Sequence, residues 1–349
     1  MTRVLYVADL RPHTRASQRL VALRRLGHEV TAVSIEHTGP GIPLERRPGP
    51  WERLRFWLGR PLDPNGANDV LLAELDAAEH NILWVEKGLT LRPATLARAR
   101  RRQPHLRLVL YSEDDLFAHH NQSAYLRAAL PAYDVVFTHK SYNANPEELP
   151  ALGARRVYYH PKSFDPELHR PIETTSAERE RFGAPVTFIG TFEQDRAHWL
   201  AWLAGRETGV RVWGNGWCAW RDRHPLLRVE DRPIYGEDYV RSVCASDIQL
   251  GFLRKKNRDL HTDRSIEVPA CGAFLLAERS SEHLALFEEG REAEYFDTRE
   301  ELLHKLRYFL AHPAERRERA LAARARCLAS GYSHDRFLER ALAQLEEAA

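Results

Sequence analysis

The residues best equipped for chemistry fall in one stretch, Arg254 to Ala273, which reads RKKNRDLHTDRSIEVPACGA. Three consecutive cations, Arg254, Lys255 and Lys256, precede a hydroxyl-bearing turn with His261, Thr262, Arg264 and Ser265. The spacing predicts a helix from Arg264, whose first turn would present backbone N–H groups and a positive dipole end to a pyrophosphate. Glu267, one turn further in, would repel a phosphate. It is suited instead to accepting hydrogen bonds from a ribose diol. Ala270, Gly272 and Ala273 are small enough for that helix to approach a sheet closely.

A second set of groups follows from where strands end, because ligands of open α/β sheets bind beyond the carboxyl ends of the strands. In the first half these ends offer Asp9, Glu86, Asp114, His139 and their neighbours, a mixture fit for acid/base work or for binding hydroxyls. In the second half they offer Gly190, Thr191 and Gly214, with Arg196 nearby, and a phosphate would suit that loop chemistry better. The acidic run Glu113-Asp114-Asp115 lacks an Asp-x-Asp pairing and predicts no metal site. The loop after the first strand, DLRPHTRAS, has no G-x-G-x-x-G, which argues against a nicotinamide or flavin enzyme. Neither G-x-S-x-G nor a P-loop is present.

The elements that must position these groups alternate. VLYVA (Val4–Ala8) is a short apolar run fit for a buried parallel strand, SQRLVALRRLGH a helix capped by Thr14 or Ser17, and EVTAVSI a second strand. The βαβ rhythm continues through NILWVEKG, LRLVLYSEDD, DVVFTHK and ARRVYYHP. It breaks near Pro166 and Pro171, then resumes with PVTFIGTF, VRVWGNGW, DIQLGFL and GAFLLAE. The expected fold is α/β: two doubly wound Rossmann-like domains, residues 1–170 and 171–330, facing a central cleft, with residues 331–349 as a helix crossing back. At 349 residues, 43% hydrophobic and 29% charged, the chain is globular and of two-domain size. A net charge of +2 excludes a general basic field for nucleic acid. Four cysteines far apart in sequence, with no C-x-x-C, read as free thiols of a reducing compartment. No run approaches the roughly 20 apolar residues of a membrane span, so a cytoplasmic protein is expected.

In order and spacing, several motifs resemble the CgeB-like (spore maturation protein) group of family-1-type glycosyltransferases in the GT-B superfamily. They are R-S-I-E-V-P-A-C-G, F-E-E-G-R-E-A-E-Y-F, E-L-L-H-K-L-R-Y-F-L-A-H-P and S-H-D-R-F, with D-V-V-F-T-H-K, L-G-A-R-R-V-Y-Y-H-P and V-T-F-I-G-T-F upstream. The likeness covers roughly the last two-thirds of the chain. It implies transfer of a sugar from a UDP-, GDP- or dTDP-sugar to an acceptor hydroxyl without an obligatory metal, in cell-surface polysaccharide or glycoconjugate synthesis. It also implies that Glu267 binds the donor ribose, with Asp259 as the shorter acid at the upstream position of a Glu-x7-Glu pattern. Gly190 and Thr191 match the first donor-domain loop, and Tyr235 and Gly236 the border of the base. Arg264, one of the cations at Arg254 to Lys256, and Arg196 would meet the leaving-group charge. The partial Glu-x7-Glu pattern favours retention; an inverting reaction would need a base from Asp114, His119 or His139.

RRPGPWERLRFWLGRP (Arg46–Pro61) sets Trp51, Leu54, Trp57 and Leu58 on one helical face flanked by arginines. That pattern fits a peripheral contact with the inner membrane face and a lipid-linked acceptor. It also fits a core-facing helix or the wall of a pocket for a glycan or small-molecule acceptor, the more ordinary use of such a stretch. Two other functions suit the same scaffold: a nucleotide-sugar epimerase or hydrolase, and a non-catalytic sugar-nucleotide-binding protein.

Overall fold

The structure, a computed structural model, describes residues 1–36 and 49–348. It divides into two units, Met1–Pro161 with His334–Ala349, and Lys162–Ser333. The chain begins with β1 (Arg3–Ala8), α1 (Arg15–Arg25), β2 (Glu29–Ser34), α2 (Pro50–Trp57) and α3 (Ala67–Ala77). Next come β3 (Ile82–Glu86), α4 (Pro93–Arg102), β4 (Arg107–Ser112), α5 (Ala124–Ala129), β5 (Val135–Thr138) and β6 (Val157–Tyr159). The second unit runs through α6 (Ser176–Phe182), β7 (Val186–Ile189), α7 (Gln194–Ala204), β8 (Val210–Trp213), β9 (Leu227–Val229) and α8 (Gly236–Ala245). It continues with β10 (Ile248–Gly251), α9 (Arg264–Ala270), β11 (Leu275–Glu278), α10 (Ser281–Leu286) and β12 (Glu294–Phe296). After α11 (Arg299–Ala311) and α12 (Pro313–Ala329), α13 (His334–Glu347) returns to the first unit.

Each unit holds one six-stranded, wholly parallel sheet, ordered β2-β1-β3-β4-β5-β6 and β12-β11-β10-β7-β8-β9. Strand order reverses between β1 and β3 in the first sheet and between β7 and β10 in the second, and these switch points are where such sheets hold ligands. The strands are short continuous apolar runs because helices cover both faces. In the first unit α1 and α13 cover one face through Leu20, Leu23, Phe337 and Leu338. Leu71 and Leu75 of α3 and Leu96 of α4 lie on the other. In the second unit α7 and α11 pack Leu200, Leu203, Leu302 and Leu306 on one side, and α8 and α9 pack Val240, Val243 and Ile266 on the other.

Local signals account for the ends of these elements. Of the two expected caps for α1, Thr14 is the one used, accepting the amide of Ser17 at 3.2 Å. Gly272, read from sequence as a close-packing residue, also stops α9 in a left-handed turn at φ +69°. The reading of Arg46–Pro61 as a core-facing helix is not realised: α2 has no buried residue. Residues 46–48 of that stretch lie outside the described residues. Among the described residues no helix is long and apolar enough to cross a membrane. All four cysteines are free, yet Cys244 and Cys271, distant in sequence, meet in space: Cys244 Sγ donates to the carbonyl of Cys271 at 3.7 Å, and the neighbouring Cys271 side chain lowers the pKa of the Cys244 thiol.

Candidate functional site

In the second unit the β7/β10 switch point gathers cations. Arg196 on the first turn of α7 is buried, donates from Nη1 to the carbonyl of Thr191 at 3.1 Å and pairs with Glu193 at 2.8 Å. Burial, with Arg264 and Arg254 adding to it, pulls its pKa down to about 10 despite Glu193. Arg254 reaches Glu193 at 3.1 Å from the end of β10, and Lys255 stands exposed beside it. Arg264 opens α9 over the ring of Phe188, which Arg196 also overlies. Its Nε is buried with no hydrogen-bond partner, and the side chain has no ion-pair partner among the described residues. An unsatisfied buried donor of this kind costs about 1–3 kcal/mol until an acceptor arrives.

Gly190 and Gly214 border this region for a steric reason. A Cβ on Gly214, at φ +149°, would lie 2.0 Å from the carbonyl oxygen of Gly190, so the β7 and β8 loops touch backbone to backbone. Trp217 secures the contact, donating from Nε1 to Gly190 O at 2.9 Å. Thr191 is exposed at the tip. Tyr235, also exposed, caps α8, and Gly236 follows it at φ +57°.

The turn before α9 and the first turn of that helix are wired inward. Ser265 is buried; it accepts the Thr262 amide at 2.9 Å and gives its own hydrogen to Nε2 of His283 at 2.6 Å. His283 can accept because its Nδ1–H is committed to the carbonyl of Glu278 at 2.7 Å. The Ser265 hydroxyl hydrogen therefore serves the fold, and Thr262, 5% exposed, is closed in beside it. His261 is fully buried: Nε2 accepts the Lys162 amide at 2.9 Å, so Nδ1 carries the hydrogen that goes to Glu282. Asp259 folds back on its own loop, accepting from Asn257 at 2.8 Å and from the Arg254 amide at 3.3 Å.

Glu267 is 2% exposed and held from two sides. The Tyr239 hydroxyl donates to Oε2 at 2.8 Å, and burial, reinforced by Glu267, keeps that phenol protonated by raising its pKa well above the ordinary value. His169 accepts the Asp165 amide at Nδ1, which leaves the hydrogen on Nε2, 3.8 Å from Glu267 Oε1. Tyr239, His169, Lys162 and His283 were not singled out from sequence. The S-S-E-H run at 280–283 was the available signal, since Ser280 caps α10 and so fixes the direction of His283.

In the first unit the switch point is a closed polar network. Arg19 forks onto Glu86 through Nε and Nη2, both at 2.7 Å, and reaches Glu113 at 2.6 Å; the Tyr6 hydroxyl also donates to Glu86. Burial foremost, then Glu86, holds the Tyr6 pKa well above normal. His139 is buried with both nitrogens engaged: Nδ1–H donates to the carbonyl of His160 at 2.7 Å and Nε2 meets the Tyr111 hydroxyl. Asp114 pairs with Lys87 at 2.8 Å. His119 sits apart and exposed, in the wall of a cavity formed with Phe56, Trp57, Ser123 and Arg127. Asp114, His119 and His139 thus occupy three different settings. Among the described residues no group of three His, Cys, Asp or Glu side chains could hold a metal ion.

Two units, each built on one wholly parallel doubly wound sheet, make the fold that of the GT-B glycosyltransferase structures. A sucrose-phosphate synthase from Thermosynechococcus elongatus shares it with a TM-score of 0.69 at 14% identity, each chain covered in full. HepE from Anabaena, solved with UDP and glucose, matches 99% of this chain and 100% of its own, with a TM-score of 0.61 and 13% identity. A protein assigned as a UDP-N-acetylglucosamine 2-epimerase from Listeria monocytogenes also matches, at 15% identity and a TM-score of 0.61 over 99% of this chain and 96% of its own. A glycosyl transferase-like family model matches residues 195–343, which take in the whole cation cluster. No curated protein matches by sequence.

Proposed function

We propose that the chain is a metal-independent glycosyltransferase that passes a sugar from a UDP-, GDP- or dTDP-sugar to an acceptor hydroxyl. The observation that carries this is Arg264, whose buried Nε lacks a partner beside Arg196 and Arg254 at a sheet switch point. A diphosphate supplies both the missing acceptor and the negative charge. As the sugar leaves, charge grows on the diphosphate, and a fixed cation there contributes about 2–4 kcal/mol in a water-poor site. Glu267, oriented by Tyr239 and His169, accepts the ribose diol. Retention is favoured because His139 and Asp114 are already engaged; inversion would call on His119. The finer form of the proposal, a CgeB-like enzyme of cell-surface glycan assembly, rests on the sequence motifs.

The fold alone admits the epimerase or hydrolase reading, since it recurs in the Listeria protein. Turnover of a nucleotide sugar without any acceptor would favour that alternative.

The test is a thermal-shift screen against UDP, GDP, dTDP, CMP and their sugars. A ligand at 100 times its Kd adds about 2.7 kcal/mol, which in a unit of this size raises the melting temperature by about 5–10 °C. Arg264→Ala should weaken binding of the active nucleotide by about 100-fold, the equivalent of roughly 2.7 kcal/mol. Glu267→Gln should weaken nucleoside diphosphates but not inorganic pyrophosphate. If none of the ligands shifts the transition, the donor assignment is wrong.

A further inference from the structure

Helix α2 shows its apolar residues to solvent. Trp51 is 61% exposed, Trp57 78%, Leu58 53% and Leu54 43%. At 100° per residue these four side chains span an arc of about 120°. Arg53 lies at one margin of that arc and Arg55 at the other, with Arg60 just beyond the helix. The helix has one acid, Glu52, and its carboxylate is spent at the N-terminus, where it accepts the Gly49 amide at 2.7 Å. Phe56, off the apolar arc, lines a cavity of about 530 Å³ together with Trp57, Leu58, His119 and Arg127.

We infer that this face seats the protein on an anionic bilayer surface, with the tryptophans at headgroup level and the arginines on lipid phosphates. The charge pattern decides between occupants. A second copy meeting the same face across a two-fold axis would set arginine margin against arginine margin. An anionic surface meets them with the opposite sign, and tryptophan favours the membrane–water boundary. The inference does not depend on the donor reading, because none of its residues belongs to the cation cluster.

The experiment is co-flotation of the full chain with vesicles of phosphatidylcholine alone or mixed with phosphatidylglycerol. The chain should float with the anionic vesicles, and less as salt rises. Trp51→Ala/Trp57→Ala should lower the apparent affinity at least about tenfold, and each of Arg53→Gln and Arg55→Gln about fivefold. All four positions are exposed or at the helix margin, so the melting temperature should stay that of the wild type. Three outcomes overturn the inference: no flotation of the wild type, equal flotation of the tryptophan variant, or a concentration-dependent dimer that the same substitutions abolish without any vesicle binding. A chain that floats but shows no nucleotide-induced thermal shift would fail the donor reading alone.

Discussion

Ser265 hands its hydrogen to His283, and His283 hands its own to a backbone carbonyl, so the imidazole is neutral in the folded chain. Burial pulls its pKa down to about 4, against about 6.5 in solvent. Between these values the unfolded chain binds a proton that the folded chain does not. Stability is therefore complete above about pH 6.5 and declines as pH falls toward 4. The full loss is about 3 kcal/mol. Denaturant melts between pH 7 and pH 4 should show His283→Gln losing less stability over that interval than the wild type by this amount; parallel profiles would remove the role. That wiring was not legible in the sequence. A serine in the first turn of a helix looks the same whether its hydroxyl faces a phosphate or a histidine 18 residues later. Arg264 was legible as a cation at a helix start, but that its buried Nε lacks a hydrogen-bond partner emerges only from the packing around it.

Helix α13 opens with the H-D-R-F of the S-H-D-R-F signature, and three of these residues pack within the first unit. His334 meets Gln18 at 3.2 Å, Asp335 pairs with Arg25 at 2.6 Å, and Phe337 sits among the rings of Trp84, Tyr111, Phe137, His139 and His160. Phe337→Ala should cost about 3–5 kcal/mol, read as a lower urea midpoint with an unchanged m-value. A loss under 1 kcal/mol would mean that the aromatic cluster repacks around the gap. Among strands, β1, β3, β4 and β10 were legible because a strand covered on both faces must be a run of apolar residues. β9 and β12, three residues each at the sheet edges, carry too short a run to stand out. For α2 the period was plain in the sequence. Which way its face points was not, because amphipathic spacing is identical for a core-facing and an exposed helix.

Across the whole chain, the first unit depends on residues that arrive last. Phe337, Leu338, Ala341 and Leu345 complete one of the two cores flanking the β1–β6 sheet, although the second unit intervenes in sequence. Ending the chain at Ser333 should leave residues 1–161 with an uncovered apolar sheet face. Limited proteolysis should then cut that region rapidly while 162–333 stays protected, and unchanged protection of 1–161 would contradict this account. Sequence alone determined the alternation of strands and helices, the two parallel sheets and the stretch that carries the cations. Those follow from periodicity and capping, which act over a few residues. Only the tertiary structure decided which of these groups are spent on the fold, as Ser265, His261, His139 and Asp259 are, and which keep an unmet bond, as Arg264 does. Partners such as Lys162 for His261 and Tyr239 for Glu267 are brought together by packing across 99 and 28 residues, and no local pattern encodes a contact of that range.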